Sequence, residues 1–244
     1  MAASAPVLPR GFPRRFPVHP DMHRPWRYQA TAGVLRLGFP LVLGRGLRIE
    51  GVEHVPPTGP LLICSNHLSN LDPLLLGSFT PGSNTAMGKR ELFANPALAW
   101  LLAGCNTFPV ERGAADRWAL RTALDVLGRG GRLCVWVEGT RAVRPGMKRA
   151  EPGVGFLWRR HPVPILPVAI SGSEAALVKG RLLPQRVPVL MRYGAPQELR
   201  LEGRQARDNQ AVADAIGVMI ASLLPNEYRG VYSDAVATAG GPGL

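Results

Sequence analysis

Residues Leu61 to Leu76, LLICSNHLSNLDPLLL, set a histidine and an aspartate between two apolar runs, and the fold follows from how this stretch turns. Leu61 to Cys64 is a short continuous apolar run led in by Pro56, Pro57, Gly59 and Pro60, the pattern of a buried strand entered from a turn. Pro73 before Leu74, Leu75 and Leu76 predicts a helix start, because the missing proline N–H is not needed at the first helical position. Asp72 is then the expected N-cap. The residue before a proline is pushed out of the α region, as a cap must be, and aspartate is a favoured cap.

His67 falls on the strand-to-helix turn. On a continuous helix, five residues would hold His67 and Asp72 roughly 140° apart, so they meet only if the chain between them turns. Ser65, Asn66, Ser69 and Asn70 are turn-forming residues. A carboxylate within reach of an imidazole fixes its tautomer and stabilises the imidazolium, which makes a general base. Taken alone, the same two residues equally suit plain helix capping beside a solvated loop histidine.

On either side, Leu47 to Val55 alternates apolar and polar residues as an edge strand does, and Thr85 to Gly88 and Thr107 to Val110 are strand-like. Ala97 to Ala103 is an apolar helix, and Ala115 to Leu127 is a surface helix ended by Gly128, Gly130 and Gly131. Leu133 to Val137 is an uninterrupted apolar run, as in a strand covered on both faces. Val163 to Ile170 and Val187 to Tyr193 repeat the pattern, and Val212, Ile216, Met219, Ile220 and Leu223 fall at helical spacing before Pro225. Short buried strands alternating with helices predict an α/β fold: a single domain with a mixed, largely parallel central sheet flanked by helices. Ligands of such sheets gather in the loops leaving the strands. Those loops carry His67, Asp72, Arg112, Glu138 and Arg141.

The chain of 244 residues shows no repeat and no linker between Leu61 and Pro225. Residues 1–25, rich in proline and arginine, are expected to lack fixed structure, residues 47–231 to form the domain, and 232–244 to be a flexible tail. Residues 26–46 mix Trp26, Tyr28 and aliphatic residues with Arg27, Arg36 and Arg45. Such a basic amphipathic segment suits the headgroup boundary of an anionic membrane, or a helix packed on the domain, and the two are compatible. The net charge of +12 comes from 26 arginines against 3 lysines. Charge alone does not choose among nucleic acid, anionic lipid and phosphorylated small molecules, but no nucleic-acid motif is present, so nucleic acid is not the expected partner. Cys64, Cys105 and Cys134 are odd in number and lie in or beside apolar runs, as core thiols of a reducing compartment do; neither a disulfide frame nor a metal site is expected. No apolar run reaches the roughly 18 residues needed to span a bilayer, so the expected location is peripheral, on the cytoplasmic face of a membrane.

Asn66-His67-Leu68-Ser69-Asn70-Leu71-Asp72 resembles the NHxxxxD motif of the PlsC-like 1-acylglycerol-3-phosphate acyltransferases, a glycerolipid acyltransferase family. Three more blocks follow in that family's order: Lys89-Arg90-Glu91-Leu92 with Phe108-Pro109-Val110-Glu111-Arg112, then Val137-Glu138-Gly139-Thr140-Arg141, then Val163-Pro164-Ile165-Leu166-Pro167-Val168. The resemblance implies the family's fold, with His67 as base and Asp72 as its orienter. It assigns Arg112, Glu138, Gly139, Thr140 and Arg141 to the acceptor's phosphate and glycerol, and marks Lys148 and Gly153 downstream. It implies a lysophospholipid acceptor, acyl-CoA or acyl-carrier protein as cosubstrate, and no bound cofactor. Glu138 is out of place in a phosphate pocket, and is expected to bond the glycerol hydroxyl or hold an arginine. Val137 stands where the family has proline, Ala142 where serine is common, and Asn95-Pro96-Ala97 lacks the usual glycine after proline.

Ser69 is a weaker candidate as a covalent nucleophile, having no flanking glycines, and Cys64 is expected to be buried and inert. Trp100, Trp118, Trp136 and Trp158 are expected to pack the core.

Overall fold

In a computed structural model, which describes residues 25–111, 116–142, 146–178 and 184–238, the apolar runs form one seven-stranded sheet. The elements in chain order are α1 (Trp26–Leu43), β1 (Leu47–Glu50), β2 (Leu61–Ser65), α2 (Asp72–Phe79), β3 (Asn84–Lys89), α3 (Pro96–Gly104), β4 (Thr107–Val110) and α4 (Arg117–Gly128). They continue with β5 (Arg132–Trp136), α5 (Pro152–Arg160), β6 (Ile165–Ser171), α6 (Ser173–Ala176), β7 (Val189–Tyr193), α7 (Asn209–Ala221) and α8 (Ser233–Thr238). The strand order is β1-β7-β6-β2-β5-β3-β4. The block β6-β2-β5-β3-β4 is parallel throughout, β7 joins β6 antiparallel, and β1 pairs parallel with β7.

The continuous apolar runs are continuous because both sheet faces are covered. Along β2, Leu62 and Cys64 face a core shared with α4, α5 and α7, whereas Leu61 and Ile63 face one shared with α1 and α2. β5 divides likewise, Leu133 and Val135 to the first core and Cys134 to the second. Burying a large aliphatic side chain of this kind contributes roughly 1.5–3 kcal/mol. α5 and α7 meet so closely that a Cβ on Gly155 would run into the backbone of Asn209.

Four local expectations need correction. The edge strand stops at Glu50 because Gly51, at φ 71°, turns the chain into a 3-10 turn over Val52–His54. Ser233–Thr238 is not a loose tail but the helix α8, with Val236 buried in the α7 core beside Tyr232; among so many small residues, one apolar anchor is easily overlooked. α1 does not divide into one apolar and one polar face. It packs Tyr28, Ala32, Phe39 and Leu43 inward while Trp26, Val34, Leu37 and Leu41 remain 69–74 % exposed. Trp100 is 55 % exposed rather than in the core, lying edge-on to Trp26 with the Arg27 guanidinium over its ring.

α1 is tied to the domain as well as packed on it. Arg36 Nε donates to the Ser78 carbonyl at 2.6 Å, and Tyr28 Oη to the Gly77 carbonyl at 3.2 Å. Among the described residues no helix is long and apolar enough to cross a membrane. The expectation for residues 1–24 lies outside the described residues, as does that for 239–244.

Candidate active site

β6, β2 and β5 are neighbours in the sheet and run the same way, so the loops leaving their C-terminal ends converge. The β2 loop carries His67, the β5 loop Glu138 to Arg141, and the turn after β6 carries Ser173. His67 is anchored first through its neighbour. The Asn66 side chain donates to the Ile170 carbonyl and accepts from the Ile170 N–H, both at 2.8 Å, pairing with β6 as another strand residue would.

The chain then turns, as the sequence requires, and brings His67 Nδ1 to 2.8 Å from Asp72 Oδ2. The same oxygen accepts the Leu68 N–H at 2.6 Å and the Ser69 N–H at 2.7 Å, and Oδ1 accepts the Ser173 hydroxyl at 2.5 Å. Asp72 is fully buried, so these bonds replace all of its hydration. They also explain why it is not the N-cap the sequence predicts. Its carboxylate is turned back onto the loop, the helix begins at Asp72 itself, and Leu71 stands in the cap position without a side-chain bond.

Both backbone groups of His67 are held by the β5 loop. Its N–H donates to Glu138 Oε1 at 2.9 Å, and its carbonyl accepts from Ala142 N–H at 2.9 Å. Glu138 Oε2 accepts the Lys148 N–H, also at 2.9 Å. Glu138 therefore holds backbone, and among the described residues no arginine bonds it. A carboxylate with two acceptor oxygens can join two loops in a way that a neutral side chain cannot. Burial pushes its carboxyl above the usual range, and the two N–H bonds only partly offset this.

The remaining expected residues divide. Arg141 is exposed and lines the same cavity as His67. Thr140 and Lys148 are engaged with each other: Lys148 Nζ donates to Thr140 Oγ1 at 2.6 Å and to the Arg141 carbonyl at 3.2 Å, bracing the loop that carries Arg141. Gly139 turns that loop at φ 65°. Gly153 lies on the first turn of α5, apart from these bonds. Arg112 lies outside the described residues. Ser69, 2 % exposed, donates its N–H to Asp72 and accepts the Leu71 N–H on its hydroxyl oxygen, a loop-building role. Cys64 is wholly buried and its thiol is pushed far up by that burial, as inert as the sequence implies.

His67 is 4 % exposed, and Nε2 has no protein partner among the described residues. The ring opens on a mainly apolar cavity of about 480 Å³ roofed by α1, α2 and α3 over the β5-β3-β4 part of the sheet. Small residues on that sheet face, Ala86, Gly88 and Cys134, leave the space. Trp136 packs against the core shared with α1 and α2, as expected, and also forms a wall of the cavity with its ring 5.5 Å from that of His67. Sequence reading missed Ser173 as well as Trp136. Its only signal is that a serine follows the apolar run of β6 at the level where the other loops carry polar residues.

An imidazole steadied on one nitrogen and open on the other, with a guanidinium and an apolar cavity alongside, can take a proton from an alcohol beside an acyl chain. Human 1-acyl-sn-glycerol-3-phosphate acyltransferase alpha is 34 % identical over 134 residues, covering 53 % of this chain and 47 % of that protein. The Saccharomyces cerevisiae 1-acyl-sn-glycerol-3-phosphate acyltransferase is 28 % identical over 144 residues, 55 % of this chain and 46 % of its own. The chain thus spans about half the length of these curated relatives. The crystal structure of the 1-acyl-sn-glycerophosphate acyltransferase PlsC from Thermotoga maritima superposes with a TM-score of 0.66 at 22 % identity, covering 80 % of this chain and 79 % of that one, a likeness of fold. The Acyltransferase family model matches residues 46–171, about half the chain, from the start of β1 to the end of β6 and so across His67, Asp72, Glu138 and Arg141; the chain belongs to that family.

Proposed function

We propose that this chain transfers a fatty acyl group from a thioester to the hydroxyl of a lysophospholipid, 1-acyl-sn-glycerol-3-phosphate in the first instance, giving phosphatidic acid. The observation that carries the reading is that His67, held by Asp72, opens on an apolar cavity that Arg141 also lines. His67 Nε2 takes the acceptor's hydroxyl proton as the oxygen attacks the thioester carbonyl. The tetrahedral adduct then expels the thiolate, which recovers that proton from the imidazolium. The products are an ester and a free thiol, and Asp72 keeps its charge throughout. An oriented base of this kind supplies about 10² to 10⁴ in rate.

The acyl chain occupies the cavity. Arg141 grips the acceptor phosphate as a planar fork, with Arg112 where the family resemblance puts it, and so fixes which hydroxyl reaches His67. Acyl-CoA and acyl-carrier protein both meet the chemical need for a thioester. The exposed apolar face of α1, with Arg45 and Arg48 following it, supports a peripheral seat on the anionic, cytoplasmic face of a membrane.

Purified protein should release thiol from acyl-CoA only when 1-acylglycerol-3-phosphate is present, and His67→Ala should abolish the release. Full activity in His67→Ala refutes the mechanism. Thiol release with a different lysolipid alone moves the acceptor assignment. Liposome binding with no release across a donor and acceptor panel identifies a lipid-binding protein without turnover.

A further inference from the structure

After α7 the chain returns to the site in two short 3-10 turns, Asn226–Tyr228 and Gly230–Tyr232, outside the stretch from β1 to β6 that the family model matches. This segment bonds both of the elements that support the site from behind. Tyr228 Oη accepts the Gly172 N–H and donates to Glu174 Oε1 at 2.7 Å. It thereby grips the residue on each side of Ser173, whose hydroxyl bonds Asp72 Oδ1. Burial, and then the Glu174 carboxylate, push the phenol up to about 12, so it remains a donor through neutral pH.

The same segment pairs with residues 147–150. The Met147 N–H donates to the Tyr228 carbonyl at 2.9 Å, the Val231 N–H to the Met147 carbonyl at 3.1 Å, and the Ala150 N–H to Tyr232 Oη at 2.8 Å. Between these bonds lies Lys148, whose N–H holds Glu138 and whose Nζ braces the turn of Arg141. The approach is close. At Gly230, with φ 56°, a Cβ would stand 2.1 Å from the Met147 carbonyl oxygen, and a Cβ on Gly217 would run into the Tyr232 ring. Tyr232 Oη also donates to Asp214 Oδ1 at 3.1 Å, which ties the segment to α7.

We infer that residues 228–232 form a strap that positions the site for acyl transfer, Tyr228 steadying Asp72 and His67 through the turn around Ser173, and Tyr232 steadying Arg141 through the Lys148 segment. The inference rests on the acyl-transfer reading and adds two positioning residues to it. Reacting groups keep their geometry only where the side chains behind them are themselves locked. Without its hydroxyl, Tyr228 leaves the Gly172 N–H without that acceptor and Glu174 Oε1 without that donor, in a carboxylate whose Oε2 is buried with no protein partner among the described residues. The turn loosens at Ser173, and Asp72 holds the imidazole less firmly as it takes the proton. Without its hydroxyl, Tyr232 frees the Ala150 N–H, and the slack reaches the phosphate grip of Arg141.

The test is steady-state acyl transfer by the full chain, with the best donor among decanoyl- to octadecanoyl-CoA and with 1-acylglycerol-3-phosphate varied. Tyr228→Phe should lower kcat about tenfold with KM for the acceptor within about twofold, and Tyr232→Phe should raise that KM about tenfold. Ser173→Ala cuts the link between the turn and Asp72, so in that background Tyr228→Phe should cost less than about threefold. A partly unfolded variant loses the same fraction of kcat in either background and leaves KM alone, so instability produces neither signature. A Tyr228→Phe effect as large in Ser173→Ala as in the wild type, or an unchanged KM in Tyr232→Phe, overturns the strap and leaves acyl transfer standing. A wild-type protein that transfers no acyl group overturns the acyl-transfer reading, and this inference with it.

Discussion

Replacing Asp72 by asparagine separates the charge at the site from its geometry. In Asp72→Asn the amide oxygen can occupy the Oδ2 position and keep the bonds from Leu68 N–H, Ser69 N–H and His67 Nδ1. The amide nitrogen then faces Ser173, whose hydroxyl turns round to accept. The loop survives and only the negative charge is gone. That charge matters when the imidazole becomes an imidazolium. At the 2.8 Å between Nδ1 and Oδ2, two unit charges at an effective dielectric of about 20 attract by about 6 kcal/mol. This is a ceiling, because the amide dipole retains part of the attraction and the delocalised charges are centred further apart. A loss of roughly 3–5 kcal/mol is reasonable, or about 10² to 10⁴ in kcat.

The assay is thiol release from acyl-CoA with saturating 1-acylglycerol-3-phosphate, read alongside thermal unfolding. KM for the acceptor should hold, because the lost interaction forms only in the transition state. Tm should move by no more than about 6 °C, since a chain of this size shifts about 2–4 °C per kcal/mol. Asp72→Ala is the wrong comparison. It strands two backbone N–H groups and a buried hydroxyl, so lost activity could be lost structure. A stably folded Asp72→Asn protein that keeps more than a tenth of the wild-type kcat would refute charge stabilisation of His67.

Glu138→Gln leaves one oxygen to serve two N–H groups, those of His67 and Lys148, and should cost about 1–3 kcal/mol, lowering Tm and kcat together; an unchanged Tm counts against the bracing role. At Asp214, burial pushes the carboxyl up, but bonds from Arg149, Gln210 and Tyr232 outweigh it and hold the group below its ordinary value of 3.8. Its stabilisation is therefore present above that value and lost as pH falls through the lower folded one. The Tm gap between wild type and Asp214→Asn should close across that acid range, and a gap that widens there reverses the assignment. Changing Trp26, Leu37 and Leu41 together to serine should weaken co-sedimentation with anionic vesicles at least tenfold. Tm should stay within a few degrees, because these side chains are already 69–74 % exposed; undiminished binding removes α1 from the membrane contact.

The parts of the fold legible in the sequence were those with local causes. β4 was expected at Thr107–Val110 and forms there, because a short β-rich run bounded by turns leaves little choice. Leu133 to Val137 announced a doubly covered strand, and β5 is one. His67 and Asp72 are five residues apart with turn formers between them, so their meeting was readable without knowing what lay on either side. Ser173 lies 101 residues from Asp72, and Glu138 lies 71 from His67. Those pairings depend on β6 and β5 flanking β2, an order that no local pattern carries. Trp136 shows the same limit: it packs against the core as a tryptophan closing an apolar strand does, but that it also walls a cavity depends on the small residues Ala86 and Gly88 of the adjacent β3.

The strand order also accounts for the division of labour among the acidic groups. A buried carboxylate is tolerated only where several donors converge on it, and a single loop rarely supplies enough. Asp72 draws three donors from its own turn and needs the fourth from the turn that follows the neighbouring strand β6; Glu138 draws one from the β2 loop and one from Lys148, ten residues further along its own loop. Both side chains are buried and bonded to the protein, and that gives the pair its use. Each holds an element that faces the cavity, Asp72 the imidazole and Glu138 the backbone beneath it, while Lys148 braces the turn that presents Arg141. The block Glu138-Gly139-Thr140-Arg141 therefore contributes one exposed guanidinium and otherwise the frame that positions it. On this reasoning, conservative changes at Thr140 or Lys148 should act through the placement of Arg141, raising KM for the phosphorylated acceptor more than they lower kcat.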